Sequence, residues 1–159
     1  MNRICLAFTA AILFSHTGRS QLPHHSNIKF DFSVAKLLGS SEIIEVLGTL
    51  YNPYKDTIYF LSTSCDGMQY SLQFDTAGFI LWPDVICNSS HPIIVKIIPE
   101  GRVEFKAHFK LKEKSKAIRL GFDFYEVNRT FYVDNRRWRI YKRSSKKQNI
   151  LWSNIHSFD

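Results

Sequence analysis

One stretch constrains the chain more than any other: Val103, Phe105, Ala107, Phe109 and Leu111 alternate with Glu104, Lys106, His108, Lys110 and Lys112. Successive side chains of a strand point to opposite faces, so period-two patterning predicts one oily and one charged face. Such a strand belongs to an antiparallel sheet with one side in water. The same rhythm recurs. Ile28, Phe30, Phe32 and Val34 alternate with Asn27, Lys29, Asp31 and Ser33; Tyr70, Leu72 and Phe74 alternate with Gln69, Ser71, Gln73 and Asp75; Ile118, Leu120, Phe122 and Phe124 repeat it. Val46, Gly48 and Leu50 form another segment. Ile58–Leu61 reads as a central strand buried on both faces, and Phe79–Trp82 and Ile93–Ile98 as further short strands. Ser33–Ser41 holds a turn of helix in this reading.

Turn chemistry falls between these runs, at Asn52-Pro53, Asp66-Gly67, Ala77-Gly78, Trp82-Pro83, His91-Pro92, Pro99-Glu100-Gly101 and Glu113–Lys116. Seven to nine short strands at turn spacings of about ten residues predict an all-β, antiparallel, immunoglobulin-like β-sandwich. With 159 residues, 45% of them hydrophobic, the chain has material for one real core and is not a disordered polymer.

The N-terminus reads as an export signal over residues 1–20. Arg3 supplies the positive start, Ile4–Phe14 the apolar run, and Gly18 and Ser20 the small residues before a cut near Ser20–Gln21. Cys5 lies at the start of that run rather than at the cut, so lipidation is not expected. Removal of the signal leaves Cys65 and Cys87. An even count in an exported chain predicts a disulfide, worth about 3 kcal/mol in the chain-entropy model. Neither cysteine sits in a C-x-x-C, so a metal site is not expected. The expected location is the periplasm, the cell surface or the medium. Asn88-Ser89-Ser90 and Asn128-Arg129-Thr130 fit the glycosylation sequon, which in a eukaryotic host would mark exposed positions.

Residues 21–134 form the β-sandwich domain in this reading, with 12 basic and 13 acidic residues; residues 135–159 carry seven basic residues against one acid, a net of +6. Arg136, Arg137, Trp138, Arg139, Tyr141, Lys142, Arg143, Lys146 and Lys147 therefore make a candidate polyanion patch, with the aromatics stacking or sitting at an interface. The plainer alternative is a last strand, Trp138–Tyr141, with a solvated basic face, then a loop and a docked tail. Export makes intracellular nucleic acid an unexpected partner.

Catalytic signals are missing. None of the six histidines forms an H-x-H or H-E-x-x-H pattern, and there is no phosphate loop and no G-x-S-x-G elbow. His108 reads as an exposed member of a polar face, and Ser62, Ser64 and Asp66 as turn formers. No catalytic residue, metal or cofactor is expected.

The order Gly48-Thr-Leu-Tyr-Asn52-Pro53, a strand at Ile58, Gln69-Tyr70-Ser-Leu-Gln-Phe74-Asp75, Gly78 before Leu81-Trp82, and Ile98-Pro-Glu-Gly101 before Val103 resembles the immunoglobulin-like sandwich of the bacterial intracellular proteinase inhibitor family. It is similar also to small exported immunoglobulin-like proteins of uncharacterised function. The resemblance spans about residues 44–111 and implies mainly fold. The export signal and the cysteine pair depart from that family. Three functions follow: a non-catalytic module recognising a protein partner through loops or an edge strand, a proteinase inhibitor acting through Trp82–Pro92, and a binder of polyanions or anionic membrane surfaces through Arg136–Lys147.

Overall fold

A computed structural model describes residues 27–37, 43–65, 67–75, 78–82, 91–112, 117–130 and 150–157. In chain order these contain β1 (Lys29–Leu37), β2 (Ile43–Tyr51), β3 (Ile58–Thr63), a one-turn 3-10 helix (Gln69–Ser71), β4 (Leu72–Phe74), β5 (Phe79–Leu81), β6 (Pro92–Ile97), β7 (Arg102–Leu111), β8 (Ala117–Asp123), β9 (Glu126–Val127) and β10 (Ile150–Ser157). The described residues are all-β, arranged as three antiparallel sheets ordered β1-β2-β7-β5, β10-β8-β4 and β6-β3-β9.

The alternation in the sequence maps directly onto burial. β2 pairs with β7 without a register break from Ile43↔Lys110 to Tyr51↔Arg102. Ile44, Val46, Leu50, Phe105, Ala107 and Phe109 turn inward and are buried, while Glu45, Thr49, Glu104, Lys106 and Lys110 take the other face. Gly48 stands opposite Phe105, and a Cβ there would lie 2.6 Å from the Phe105 ring. The missing side chain is what lets the far end of that ring reach over the strand.

Phenylalanines from all three sheets meet in one core. Phe105 of β7, Phe30 of β1 and Phe122 of β8 have ring centroids 5.5 to 6.4 Å apart. Phe60 of β3 meets Phe122 edge-on at 6.1 Å and Phe124 at 5.0 Å. Phe74 of β4 stacks on Phe79 of β5 and meets Phe109 edge-on at 5.0 Å. These separations are favoured by the ring quadrupole, and each buried ring contributes on the order of 1.5–3 kcal/mol through burial. β3 is buried on both faces, as the run Ile58–Leu61 implies. Phe60 faces the main core, and Leu61 packs in a smaller cluster with Tyr125, Val127 and Tyr59.

The Asn52-Pro53 turn is tied down by a fully buried side chain. Asn52 Nδ2 donates to the carbonyls of Asp56 at 2.8 Å, Ile97 at 3.2 Å and Ile98 at 3.1 Å, and its Oδ1 accepts from Tyr54 N at 3.0 Å. One amide thereby joins the β2 exit to the β6–β7 turn. That turn closes with Gly101 N donating to Ile98 O at 3.0 Å, and Glu100 inside it takes φ 53°, a conformation that glycine or asparagine adopts at less cost.

Two local expectations fail. Residues 33–37 continue β1 rather than starting a helical turn, because they pair with the β2 residues Ile44–Leu47. Tyr70 does not share a strand face with Leu72 and Phe74. It sits on the 3-10 turn and is exposed, while its neighbour Gln69 is buried. Pairing of β4 with β8 begins only at Leu72↔Phe122, after the turn that carries Tyr70.

Candidate functional site

The last strand carries the most unusual surface. β10 pairs with β8 through Ile150↔Asp123, Leu151↔Phe122 and Trp152↔Gly121, and then its register slips, resuming at Ile155↔Arg119. Ser153 and Asn154 thus oppose Leu120 alone, which is a β-bulge. Three hydrogen bonds tie it down. Leu120 N donates to Ser153 Oγ at 3.2 Å, Ser153 Oγ donates to Asn154 O at 2.8 Å, and Arg119 Nε donates to Ser153 O at 3.2 Å.

The bulge reverses side-chain parity. Strict alternation would turn Ile155 inward with Leu151. After the slip it shares the outer face with Ile150 and Trp152, while His156 turns in against Phe32 at 5.8 Å. Three large apolar residues therefore line one outward stripe. Trp152 is 39% exposed and Ile155 67%. Gly121 makes room beneath, because a Cβ there would lie 2.5 Å from Ile150 Cγ2 and 3.0 Å from the Trp152 ring. The Arg119 guanidinium stands 5.2 Å from the Trp152 ring centroid, a cation–π distance. Among the described residues β10 is the edge of its sheet, and a groove of about 440 Å³ runs between it and β1, lined by Ile28, Lys29, Asp31, Leu151, Trp152 and Asn154.

The outer face of β2, β7 and β5 is of another kind. His108 Nε2 lies 3.0 Å from one Glu45 carboxylate oxygen and Lys106 Nζ 3.3 Å from the other. The hydrogen bond from His108 holds the Glu45 carboxyl below its ordinary value; burial pushes the other way, and Lys106 adds to the lowering. His108 itself corrects the sequence reading: it is 8% exposed. Glu45 lies opposite it on β2, and on the other side Trp82 N donates to His108 O at 2.7 Å, extending the β5 pairing past the histidine. Neighbours on both flanks cover a position whose local pattern is polar. Lys110 Nζ stands 5.8 Å from the exposed Trp82 ring.

Of the residues singled out in the sequence, Cys65 follows β3. Cys87 lies outside the described residues, as do Asn88 and the basic patch Arg136, Arg137, Trp138, Arg139, Tyr141, Lys142, Arg143, Lys146 and Lys147. Asn128, Arg129 and Thr130 are exposed after β9. Ser64 ties to His91: Ser64 N donates to His91 O at 2.8 Å and His91 N to Ser64 Oγ at 3.2 Å. Among the described residues no cluster of three His, Cys, Asp or Glu side chains has metal-binding geometry, and no helix is long and apolar enough to cross a membrane. The β10 stripe was missed in the sequence because its apolar residues fall at 150, 152 and 155, a spacing that breaks the two-residue period.

No family model, no curated protein and no solved structure matches the chain.

Proposed function

We propose that this protein is an exported, non-catalytic module that binds a protein partner through the outer face of β10. The observation that carries the reading is the stripe Ile150, Trp152 and Ile155, held outward by the bulge at Ser153–Asn154. Isolated exposed apolar residues are ordinary. Three on one edge strand, with an arginine stacked on the tryptophan, have the composition of an interface centre rather than of free surface. An edge strand adds main-chain groups that a partner strand can use.

Strand order supports an immunoglobulin-like sandwich. Taking β1, β2, β4, β5, β7, β8 and β10 as the first to seventh strands, one sheet runs first-second-fifth-fourth and the other third-sixth-seventh. This order is the one expected of a seven-stranded constant-type fold, and β3, β6 and β9 form a third sheet beyond it. Export rests on Arg3 and the apolar run Ile4–Phe14, and the bond of Cys65 is assigned to Cys87, its remaining partner once the signal is removed.

The test is affinity capture from the source's exported fraction, with the wild type and Ile155→Asp side by side. A protein retained by the wild type and lost with the variant is the expected outcome; identical retention by both removes β10 from the interface. Mass mapping without reduction reads the Cys65–Cys87 bond, and the N-terminal residue of the exported form reads the cut near Gln21.

A second reading is proteinase inhibition through residues 82–92. Its support is that the segment's end is fastened beside the end of β3 by the Ser64–His91 bonds, next to Cys65. A panel of serine and cysteine proteinases, uninhibited at micromolar protein, would remove it.

A further inference from the structure

Toward the C-terminal end of β3, the inner face of the β3–β6 pair is not closed by aromatic rings. Phe60 stands opposite Val95, but one step on Ser62 stands opposite Ile93. The chain then folds back on itself and lays Met68 and Gln69 across this end. What remains is a cavity of about 320 Å³, whose lining includes Ser62, Met68, Gln69, Val95, Phe105 and Lys106. That volume lies at the lower end of the roughly 300–1,000 Å³ typical of small-molecule sites.

Two of the lining groups are polar side chains that folding has taken out of bulk water. Gln69 and Ser62 are each only 3% exposed. Both residues line the cavity, and neither carries a fully buried side-chain polar atom left without a partner. Asn52, an equally buried amide, spends both ends of its side chain on backbone groups. An amide that lines a cavity is satisfied there by water or by a ligand, since one left with neither would lose hydration and gain nothing in return. A ligand group offering both a donor and an acceptor would complete Gln69, and the Ser62 hydroxyl adds one further bond.

The turn that presents Gln69 is preset. A Cβ at Gly67 would overlap the Thr63 backbone and hydroxyl, so only glycine lets the chain return this closely. Ser71 N donates to Met68 O at 3.1 Å, which closes the turn that carries Gln69. The charged residue of the lining, Lys106, has its ammonium 3.3 Å from the Glu45 carboxylate, so the cavity offers no uncompensated cation to attract an anion. Met68, Val95 and Phe105 supply apolar wall.

We propose that this cavity binds a neutral, amide-bearing small molecule, its amide paired with Gln69 and Ser62 and its apolar body against Met68, Val95 and Phe105. The site lies between the sheets, apart from the β10 face, and stands or falls independently of it.

The test is a titration of the full, disulfide-intact chain with benzamide, followed by the ¹⁵N–¹H signals of the Gln69 side-chain amide and the Gly67 and Met68 backbone. Saturable shifts with a Kd of about 1–10 mM are expected for a ligand this small. Benzoate, the isosteric anion, should bind at least about tenfold more weakly. Val95→Phe fills the cavity and should abolish the shifts; Gln69→Leu, which keeps the volume and removes the amide, should do the same if Val95→Phe does not fold. Shifts that grow linearly without saturation, benzoate binding as well as benzamide, or an undiminished response in a folded variant would each overturn the proposal.

Discussion

Two glycines in this protein each lie under an aromatic ring, and they have opposite consequences. Gly48 of β2 receives Phe105 on the inner side of its sheet, where the ring joins Phe30 and Phe122. Gly121 of β8 receives Trp152 on the outer side, where the ring meets Arg119 and solvent. The local device is the same: a strand without a side chain offers a flat bed for a ring on its neighbour. What differs is the face. On the inner face the ring is part of the core and contributes stability. On the outer face it contributes little to folding and remains available to a partner.

That contrast sets an order of expected effects. Phe105→Ala should cost most, about 3–5 kcal/mol, because it removes a buried ring that packs on Phe30 and Phe122 across two sheets; chemical denaturation reads the loss. Gly48→Ala comes next at about 1–3 kcal/mol, since the Phe105 ring above it is confined by the core and cannot move aside freely. If Gly48→Ala proved neutral, the inner bed would not be needed.

Gly121→Ala should cost less than about 1 kcal/mol, because Ile150 and Trp152 can shift toward solvent, yet it should weaken partner capture by displacing them. Equal destabilisation by Gly48→Ala and Gly121→Ala would erase the distinction between the faces.

The smallest effect is expected at Glu45, on the outer face of β2 and β7. Its carboxyl is held below the ordinary glutamate value, chiefly by the hydrogen bond from His108. A lowered folded-state value means that ionised Glu45 stabilises above the unfolded value of about 4.3, and that this contribution disappears as pH falls through the lower folded value. The Tm difference between wild type and Glu45→Gln should therefore be largest near neutral pH and shrink in acid. A difference that grows in acid would contradict the assignment.

Legibility in the sequence followed the range of the interactions concerned. β7 could be read residue by residue, since Val103–Leu111 alternates without interruption and pairs with β2 without a slip. β3 could be read as doubly buried from its unbroken apolar run. Tyr70 misled because it keeps the right spacing to Leu72 and Phe74, whereas the residue spacing is silent on whether a partner strand is present at that point. His108 misled because its cover comes from Glu45, 63 positions away, and from the chain beyond β5. The β10 stripe was hidden because a bulge makes an interrupted period the correct one for a continuous outer face.

By itself the sequence determined that this protein is all-β and which residues of its regular strands turn inward. Alternation needs only the pleat of a single extended segment, and phenylalanine cannot be left on the wet side in such numbers. Only the tertiary structure decided which strands adjoin, where β10 slips, and that Trp152 and Ile155 share a face while Gln69 and Ser62 share a cavity. Those outcomes depend on register between segments tens of residues apart, where a displacement of one residue exchanges the inside of a sheet for its outside.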